Sequence, residues 1–161
     1  MVLTYNVWFE ETVALAERMA AIGRILAAKD PDVVCFQEVT PNILRIFQAS
    51  RWWRRYTSVV DRARHPVPYY TLLLVRSTLP FHSSKEKPFN NSQMGRSLLF
   101  AQVAACGLQI KVGTSHLESP CPPFKGESMY GKQRRLQLSS AIEALTPPPP
   151  PDEGPEGGAG G

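Results

Sequence analysis

Polar side chains that could bind a metal ion or move a proton stand at the ends of three apolar runs in this sequence. Glu38 closely follows the apolar run 33–36, Asn6 ends a β-rich run near Met1, and His116 ends a third run. A carboxylate at the C-terminal end of a buried strand faces a cleft, where a hard divalent cation is its favoured partner. Other interpretations stay open: Glu38 could simply begin the next loop, Asn6 could cap a helix, and His116 could be structural.

The elements that would position Asn6 and Glu38 form a strand–helix–strand unit. The helix is predicted from about Glu10 to Lys29, between a strand over 2–8 and the strand that ends at Glu38. Its apolar residues Leu15, Met19, Ile22 and Leu26 fall at helical spacing. A right-handed crossover makes the two strands parallel. We therefore expect Asn6 and Glu38 at the same edge of the sheet, and we expect His116 to join them at that edge of the same sheet.

The remaining sequence predicts short strands joined by turns, with a helix at either end. Thr40 and Pro41 are typical of a helix start, and that helix should run to about Ala49. The strand-like runs are 69–75, 79–82, 97–105 and 108–116, with a polar turn over 83–93. A final helix should use Leu138, Ile142 and Leu145 as its apolar stripe. The pattern favours an α/β fold with a mixed β-sheet and flanking helices.

An arginine- and aromatic-rich segment, Arg51-Trp52-Trp53-Arg54-Arg55-Tyr56, precedes Arg62 and Arg64. Arginine interleaved with aromatic residues suits phosphate contacts combined with base stacking. The alternative is a solvated loop whose tryptophans fold back onto the body of the protein. Both interpretations stay open at this stage.

Composition separates a folded body, residues 1–145, from a Pro/Gly-rich tail, residues 146–161, which we predict to be disordered. The chain has 18 Lys and Arg residues and 14 acidic residues. Three of the acids and none of the bases lie in the tail, which leaves the body with 18 bases, 11 acids and a net charge of +7. Such a body favours an anionic partner: nucleic acid, a phosphorylated metabolite or a membrane surface.

Cysteine usage and hydropathy suggest an intracellular protein. The three cysteines have neither the spacing of a zinc site nor that of a disulfide framework, so a reducing compartment is expected. The sequence shows no signal peptide and no apolar run long enough to cross a bilayer. We therefore expect no membrane partner, while the oligomeric state stays open.

Several segments together resemble motifs of the endonuclease/exonuclease/phosphatase superfamily. Residues 3–6 resemble its first motif, which ends in asparagine, and residues 33–39 resemble its second, which supplies a metal-binding glutamate. Residues 114–119, with 91–99 and 69–71, are similar to the 5′-tyrosyl-DNA phosphodiesterase branch. The resemblance implies a partial two-sheet α/β sandwich. It also implies a metal-dependent phosphodiesterase of DNA repair that acts on DNA carrying a 5′-phosphotyrosyl adduct, in the nucleus or cytoplasm.

The same resemblance assigns roles to individual residues. Asn6, Glu38 and His116 would be catalytic, with Glu38 as the ligand of Mg²⁺ or, alternatively, of Mn²⁺. Asn6 would orient the surroundings of the metal or touch phosphate, and His116 would bond to the phosphate or stabilise the transition state. The residues implied in substrate binding are Arg96, Ser119, Arg54 and Arg55.

Two further motifs of the superfamily, Gly-Asp-x-Asn and Ser-Asp-His, do not occur in the sequence. The resemblance covers about residues 2–145, so we expect a chain that is truncated relative to the family and inactive by itself. One alternative is a catalytically dead partial domain that binds nucleic acid weakly. Another is a different phosphodiesterase of the superfamily, similar to the sphingomyelinases or deadenylases.

Overall fold

A computed structural model describes residues 1–60, 67–121 and 129–147. Arg62, Arg64 and all of the predicted tail beyond Pro147 lie outside these residues. The α-helices are α1 (Leu15–Lys29), α2 (Pro41–Ala49) and α3 (Gly131–Leu145), and a 3₁₀ helix spans Arg51–Arg55. The strands are β1 (Val2–Asn6), β2 (Val33–Val39), β3 (Tyr56–Ser58), β4 (Tyr70–Arg76), β5 (Phe81–Pro88), β6 (Ser97–Ala105) and β7 (Leu108–Ser115).

The first sheet has the strand order β1-β2-β4-β3. β1 and β2 are parallel and joined by α1, while β4 pairs antiparallel with both β2 and β3. The predicted strand–helix–strand unit is therefore confirmed. The short strand β3 has no counterpart in the sequence prediction, because three residues are too few to show an alternating pattern.

Helix α1 begins at Leu15, and the prediction that it begins near Glu10 is wrong. The reason is Arg18, whose guanidinium donates to the backbone carbonyls of Val7, Trp8, Glu10 and Val13. These contacts hold residues 7–14 as an ordered loop outside the helix. Ala14, directly before the helix, adopts a left-handed backbone with φ 44°.

The second sheet is antiparallel with the order β5-β6-β7. β5 extends to Pro88, so the prediction of a strand over 79–82 followed by a polar turn over 83–93 is wrong. Residues 83–88 pair with residues 97–102 of β6. Their side chains are mostly solvent-exposed, which is why an edge strand here has the polarity of a turn.

The two sheets pack face to face; α1 and α2 cover the outer face of the first sheet, and α3 packs against the outer face of the second. Alternate residues of β2 and β4 pack against residues of β6 in one cluster between the sheets. This cluster contains Val33, Cys35, Leu73, Val75, Leu99, Ala101 and Val103. The intervening residues pack against α1 and α2 in another cluster, which includes Val34, Phe36, Leu72, Leu74, Met19, Ile22 and Phe47. Burial on both faces explains the unbroken apolar runs. The predicted two-sheet α/β sandwich is confirmed.

Trp52 and Trp53 fold back onto the core, as the second interpretation of their segment proposed. Both pack against the helix-side cluster. The Trp52 ring centroid lies 5.1 Å from that of Phe47 and 5.9 Å from that of Trp53. Neither tryptophan is therefore presented for base stacking.

Helix α3 packs only Leu145 of the predicted stripe against the core, so the prediction for Leu138 and Ile142 is wrong. Leu138 and Ile142 are 52% and 57% exposed, whereas Gln137 and Ala141 are buried. The polar side chain of Gln137 points inward because its amide accepts a hydrogen bond from the Glu118 N–H and donates to the Glu118 carboxylate. Within the described part of the chain, no helix is both long enough and apolar enough to cross a bilayer.

Candidate active site

Asn6 and Glu38 meet at the C-terminal ends of the parallel strands β1 and β2. The Asn6 Nδ2 group donates a 2.9 Å hydrogen bond to Glu38 Oε1, and the Phe9 N–H donates a 3.1 Å bond to Glu38 Oε2. The Trp8 N–H donates to Asn6 Oδ1 at 2.9 Å. The side chains of Asn6 and Glu38 therefore have fixed orientations, and their expected meeting at one edge is confirmed.

A β-bulge turns Glu38 toward this edge. The pairing of β2 with β4 shifts register between Phe36 and Val39, and Glu38 adopts a left-handed backbone with φ 63°. That conformation is unfavourable for residues other than glycine, by about 1–3 kcal/mol, and it is concentrated at functional sites. The sequence gives no direct signal of it beyond the change from apolar to polar residues at Gln37.

Gln37 links the two sheets beside the site, although it is not among the predicted site residues. Its Nε2 group donates to Thr4 Oγ1 on β1 and to Thr114 Oγ1 on β7, both at 3.2 Å. The second contact joins residues 77 positions apart. Gln37 therefore aligns the end of the first sheet with the end of the second.

His116 reaches Glu38 from the second sheet, directly after β7. Its Nε2 atom lies 3.7 Å from Glu38 Oε1. The expectation that all three residues share an edge of a single sheet is wrong, because β7 pairs only with β6 among the described strands. The residues converge across the interface between two sheets instead.

Arg96 fixes the protonation state of His116. The Nη1 group of Arg96 lies 3.0 Å from His116 Nδ1. A guanidinium can only donate, so Nδ1 is the acceptor and the ring proton sits on Nε2, which faces Glu38. Burial lowers the pKa of His116, and the positive charge of Arg96 lowers it further, against the opposite effect of Glu38. His116 is thus a neutral hydrogen-bond donor at neutral pH.

Arg96 itself is a buried cation, only 7% exposed. Its Nη2 atom lies 3.4 Å from both Tyr69 Oη and Ser119 Oγ, and its guanidinium lies over the Tyr69 ring, 5.4 Å from the centroid. Its Nε atom is buried without a hydrogen-bond partner. A buried guanidinium surrounded by neutral groups suits an anionic ligand such as phosphate.

Glu118 holds the segment that leads to Arg96. Its carboxylate is 1% exposed and accepts hydrogen bonds from Ser92 Oγ, Gln93 N, Met94 N and Gln137 Nε2 at 2.7–3.0 Å. Burial alone would raise the pKa of Glu118, but these hydrogen bonds outweigh it and lower the pKa. Glu118 was predicted only as part of the 114–119 motif, since its partners lie 19 to 26 positions away.

Arg54 and Arg55 do not join the other predicted site residues. Both lie on the 3₁₀ helix, where Arg55 forms an ion pair with Asp30, just before β2 begins. Glu38 lies near the other end of the same strand. The structure therefore brings Asn6, Glu38, His116, Arg96 and Ser119 together and leaves these two arginines at the far end of the sheet.

The site suits a cation that needs few protein ligands. Glu38 supplies one carboxylate, with a side chain 14% exposed, and Asn6 supplies an amide next to it. No group of three or more His, Cys, Asp or Glu side chains within the described ranges could enclose a metal ion. Mg²⁺ commonly binds through one or two carboxylates and keeps water and substrate phosphate as its other ligands. The residues present therefore fit a divalent cation such as Mg²⁺, for which Glu38 would supply the carboxylate ligand.

Comparison with known proteins agrees with this geometry. The profile of the Endonuclease/Exonuclease/phosphatase family matches residues 3–151. Tyrosyl-DNA phosphodiesterase 2 of Danio rerio is 33% identical over 144 residues, which cover 89% of this chain and 37% of that protein. The human protein of the same name is 30% identical over 118 residues, covering 73% and 31%. The chain thus spans about a third of the length of these relatives.

Solved structures show the same fold. The crystal structure of D. rerio TDP2 complexed with single-strand DNA product superposes with a TM-score of 0.70 at 31% identity, covering 89% of this chain and 54% of that one. The human Nocturnin catalytic domain with bound sulfate superposes with a TM-score of 0.63 over 90% of this chain and 58% of that one. Its 14% identity supports similarity of fold alone.

Proposed function

Because the chain belongs to the Endonuclease/Exonuclease/phosphatase family, we propose that it forms part of a Mg²⁺-dependent phosphodiesterase domain that hydrolyses 5′-tyrosyl-DNA linkages. Mn²⁺ could replace Mg²⁺. The observation that carries the proposal is the convergence of Asn6, Glu38, His116 and Arg96 at the junction of the two sheets. The relatives named tyrosyl-DNA phosphodiesterase 2 and the D. rerio complex with single-strand DNA support the choice of substrate.

Each residue of this cluster has a distinct part in binding a phosphodiester. Glu38 would hold the metal, which when bound neutralises charge on the phosphoryl oxygens. Asn6 keeps the Glu38 carboxylate oriented. The Nε2–H group of His116 can donate to a phosphoryl oxygen, and this stabilisation strengthens as charge develops in the transition state.

Arg96 and Ser119 would contact the other side of the phosphate. Ser119 Oγ lies 3.4 Å from Arg96 Nη2, so the hydroxyl and the guanidinium could contact the same phosphate. The leaving group of the reaction is a phenol, whose pKa near 10 makes it a good one. Little help from a general acid is therefore needed at that oxygen.

The chain by itself should turn over no substrate. Its sequence lacks the Gly-Asp-x-Asn and Ser-Asp-His motifs. When catalytic residues act as a unit, losing one of them removes most of the activity of the whole set.

A protein of this class acts on DNA in the nucleus, so we propose that compartment. The second candidate function, nucleic-acid binding without catalysis, is favoured by the same missing motifs and by the +7 charge of the body.

The test uses the chain as it is and reads out metal binding by residue. Mn²⁺ titrated into the ¹⁵N-labelled protein should broaden the amide signals of residues 6–9, 37–39 and 116, because the ion binds next to them. Glu38→Gln keeps the shape and hydrogen bonds of the side chain but loses its charge, so the broadening should disappear. Glu17→Gln, on exposed helix surface, is the matched control and should keep it.

Turnover of a 5′-phosphotyrosyl oligonucleotide is measured in parallel. We expect none above background for the purified chain. Turnover that EDTA abolishes would contradict the predicted inactivity, while broadening that persists in Glu38→Gln would contradict the metal site.

A further inference from the structure

Two large aromatic side chains beside the site are exposed to solvent. They are Trp8 and Phe9, here named the aromatic ledge, which lie two and three residues after Asn6. Their surfaces are 46% and 44% exposed. Neither is part of the metal site or of the Arg96–His116 contact. Aromatic residues with this much exposure next to a binding site commonly form part of a binding surface.

The ledge is held in place by the site itself. The Trp8 N–H bonds to Asn6 and the Phe9 N–H to Glu38. The Arg18 guanidinium donates hydrogen bonds to four backbone carbonyls of the same loop. Trp8 is kept in a left-handed conformation, φ 61°, that a tryptophan rarely adopts. Such a loop presents its rings in a fixed position, so a ligand that stacks on them meets a surface that is already ordered.

Both rings have one face covered by a neighbour. The Phe9 ring stacks on Tyr69 with 4.9 Å between centroids and 10° between planes. The guanidinium of Arg18 lies 5.0 Å from the centroid of the Trp8 ring. Since each ring is still nearly half exposed, a flat group can stack on the side away from that neighbour.

From these contacts we infer that the aromatic ledge stacks on the bases of single-stranded DNA next to the scissile phosphate. The inference rests on the proposed function, which brings a DNA phosphate to Glu38 and Arg96. A base attached to that nucleotide would be near the residues that follow Asn6, because Asn6 and the Phe9 N–H both contact Glu38. Exposed aromatic rings beside basic groups bind single strands by stacking on any base, independently of sequence.

The experiment compares two oligonucleotides in Mg²⁺-containing buffer, since neither of them carries a tyrosyl ester that could be hydrolysed. One is a 5′-phosphorylated oligothymidylate, and the other carries abasic sites at its first two positions with the same number of phosphates. The wild-type chain should bind the first at least about 5-fold more tightly, the effect of one base–aromatic stack. Trp8→Ala and Phe9→Ala should each reduce this ratio, and Trp8→Phe should retain part of it. Leu108→Ala, at a 63% exposed apolar residue on β7, is the control and should keep the ratio.

A measurement on the wild-type sequence guards against variants that fail to fold. Fluorotryptophan incorporated at all three tryptophans should give three ¹⁹F signals. Only the signal of Trp8 should shift with the oligothymidylate, and it should not shift with the abasic strand. Equal affinity for the two strands, or a Trp8 signal that stays in place, overturns the stacking while leaving the proposed function intact. Failure to bind either strand counts against DNA as the substrate and overturns both.

Discussion

The neutral state of His116 follows from its two neighbours. Burial penalises the imidazolium and lowers the pKa of His116, and Arg96, which occupies Nδ1, lowers it further; together these effects outweigh the attraction of Glu38. Nε2–H is left as the group that faces the metal ligand. A histidine in this state donates a hydrogen bond and does not act as a base at Nδ1.

Removing the Arg96 charge should raise the pKa of His116. Arg96→Gln deletes the positive charge, so the imidazolium becomes less unfavourable and its pKa moves toward the ordinary value. Arg96→Lys keeps a charge nearby and is the control, in which the pKa should stay lowered. An NMR titration of the His116 ring in metal-free buffer measures both, with the exposed His82 as internal reference. A His116 pKa that is the same in Arg96→Gln and wild type would contradict the tautomer and charge assignments.

Single-residue patterns predicted only part of this cluster. Glu38 and Asn6 stand where apolar runs change to polar residues, which is visible along the chain. The partnership of Arg96 with His116 depends on how the loop after β5 folds over the end of β7, and no local spacing encodes it. Arg54 and Arg55 have suitable chemistry, but the ion pair with Asp30 shows that position in the fold decides which arginines reach a site.

At the scale of elements, Glu118 connects the end of β7 with the β5–β6 loop and with helix α3. Its carboxylate bonds to the loop between β5 and β6 and to Gln137 on α3, while it lies just beyond β7 itself. This single buried anion therefore sets the rotation of α3 and the position of the segment before Arg96. The apolar stripe predicted for α3 failed because these polar contacts outweigh the burial of Leu138 and Ile142.

Glu118→Gln should destabilise the domain and change its response to acid. Losing charge-assisted hydrogen bonds should lower the free energy of unfolding at pH 7 by about 1.5–3 kcal/mol. Because folding lowers the pKa of Glu118, its stabilisation is complete above its ordinary pKa of 4.5 and is lost as pH falls through the lower folded-state value. Urea unfolding at several pH values should show this loss in wild type and not in Glu118→Gln.

The control for this measurement is Glu143→Gln, which changes an exposed carboxylate on α3. It should leave both the unfolding midpoint and its pH dependence as in wild type. Equal acid sensitivity of Glu118→Gln and wild type would show that the buried carboxylate does not stabilise the fold through its charge.

Element prediction succeeded where apolar periodicity was strong. The apolar stripe on α1 and the apolar runs of β2 and β4 correctly predicted the crossover connection and the burial of both faces of these strands. It failed for β5, whose exposed polar residues form a strand only because β6 offers a partner edge. Such pairing is a tertiary effect that a sequence pattern does not contain.

At the scale of the whole molecule, the site exists only because two sheets meet. Glu38 comes from one sheet and His116 from the other, and Gln37 bonds across the junction through Thr114. Any change that separates the sheets therefore disperses the site. The single-sheet arrangement inferred from strand ends was wrong for this reason, because a strand end in the sequence does not show which sheet the strand joins.

The described surface of the molecule also carries exposed apolar side chains, which favour association between copies of the chain. The most exposed of them on the second sheet and its helix are Leu108, Leu136, Leu138 and Ile142, at 52–63%. β7 is an edge strand among the described strands and leaves a row of backbone groups for another chain to pair with. We therefore expect the purified chain to self-associate as its concentration rises.

Sedimentation velocity over a range of protein concentrations measures this association. The double variant Leu138→Gln and Ile142→Gln removes two apolar groups from one face of α3, since residues four apart lie on the same side of a helix. Both side chains are exposed, so the free energy of unfolding should change by less than about 1 kcal/mol while association weakens. Ser139→Asn, at a polar exposed position on α3, should leave association unchanged. A wild-type chain that remains monomeric at all concentrations would contradict the expectation, because these leucines and the β7 edge would then have no effect on assembly.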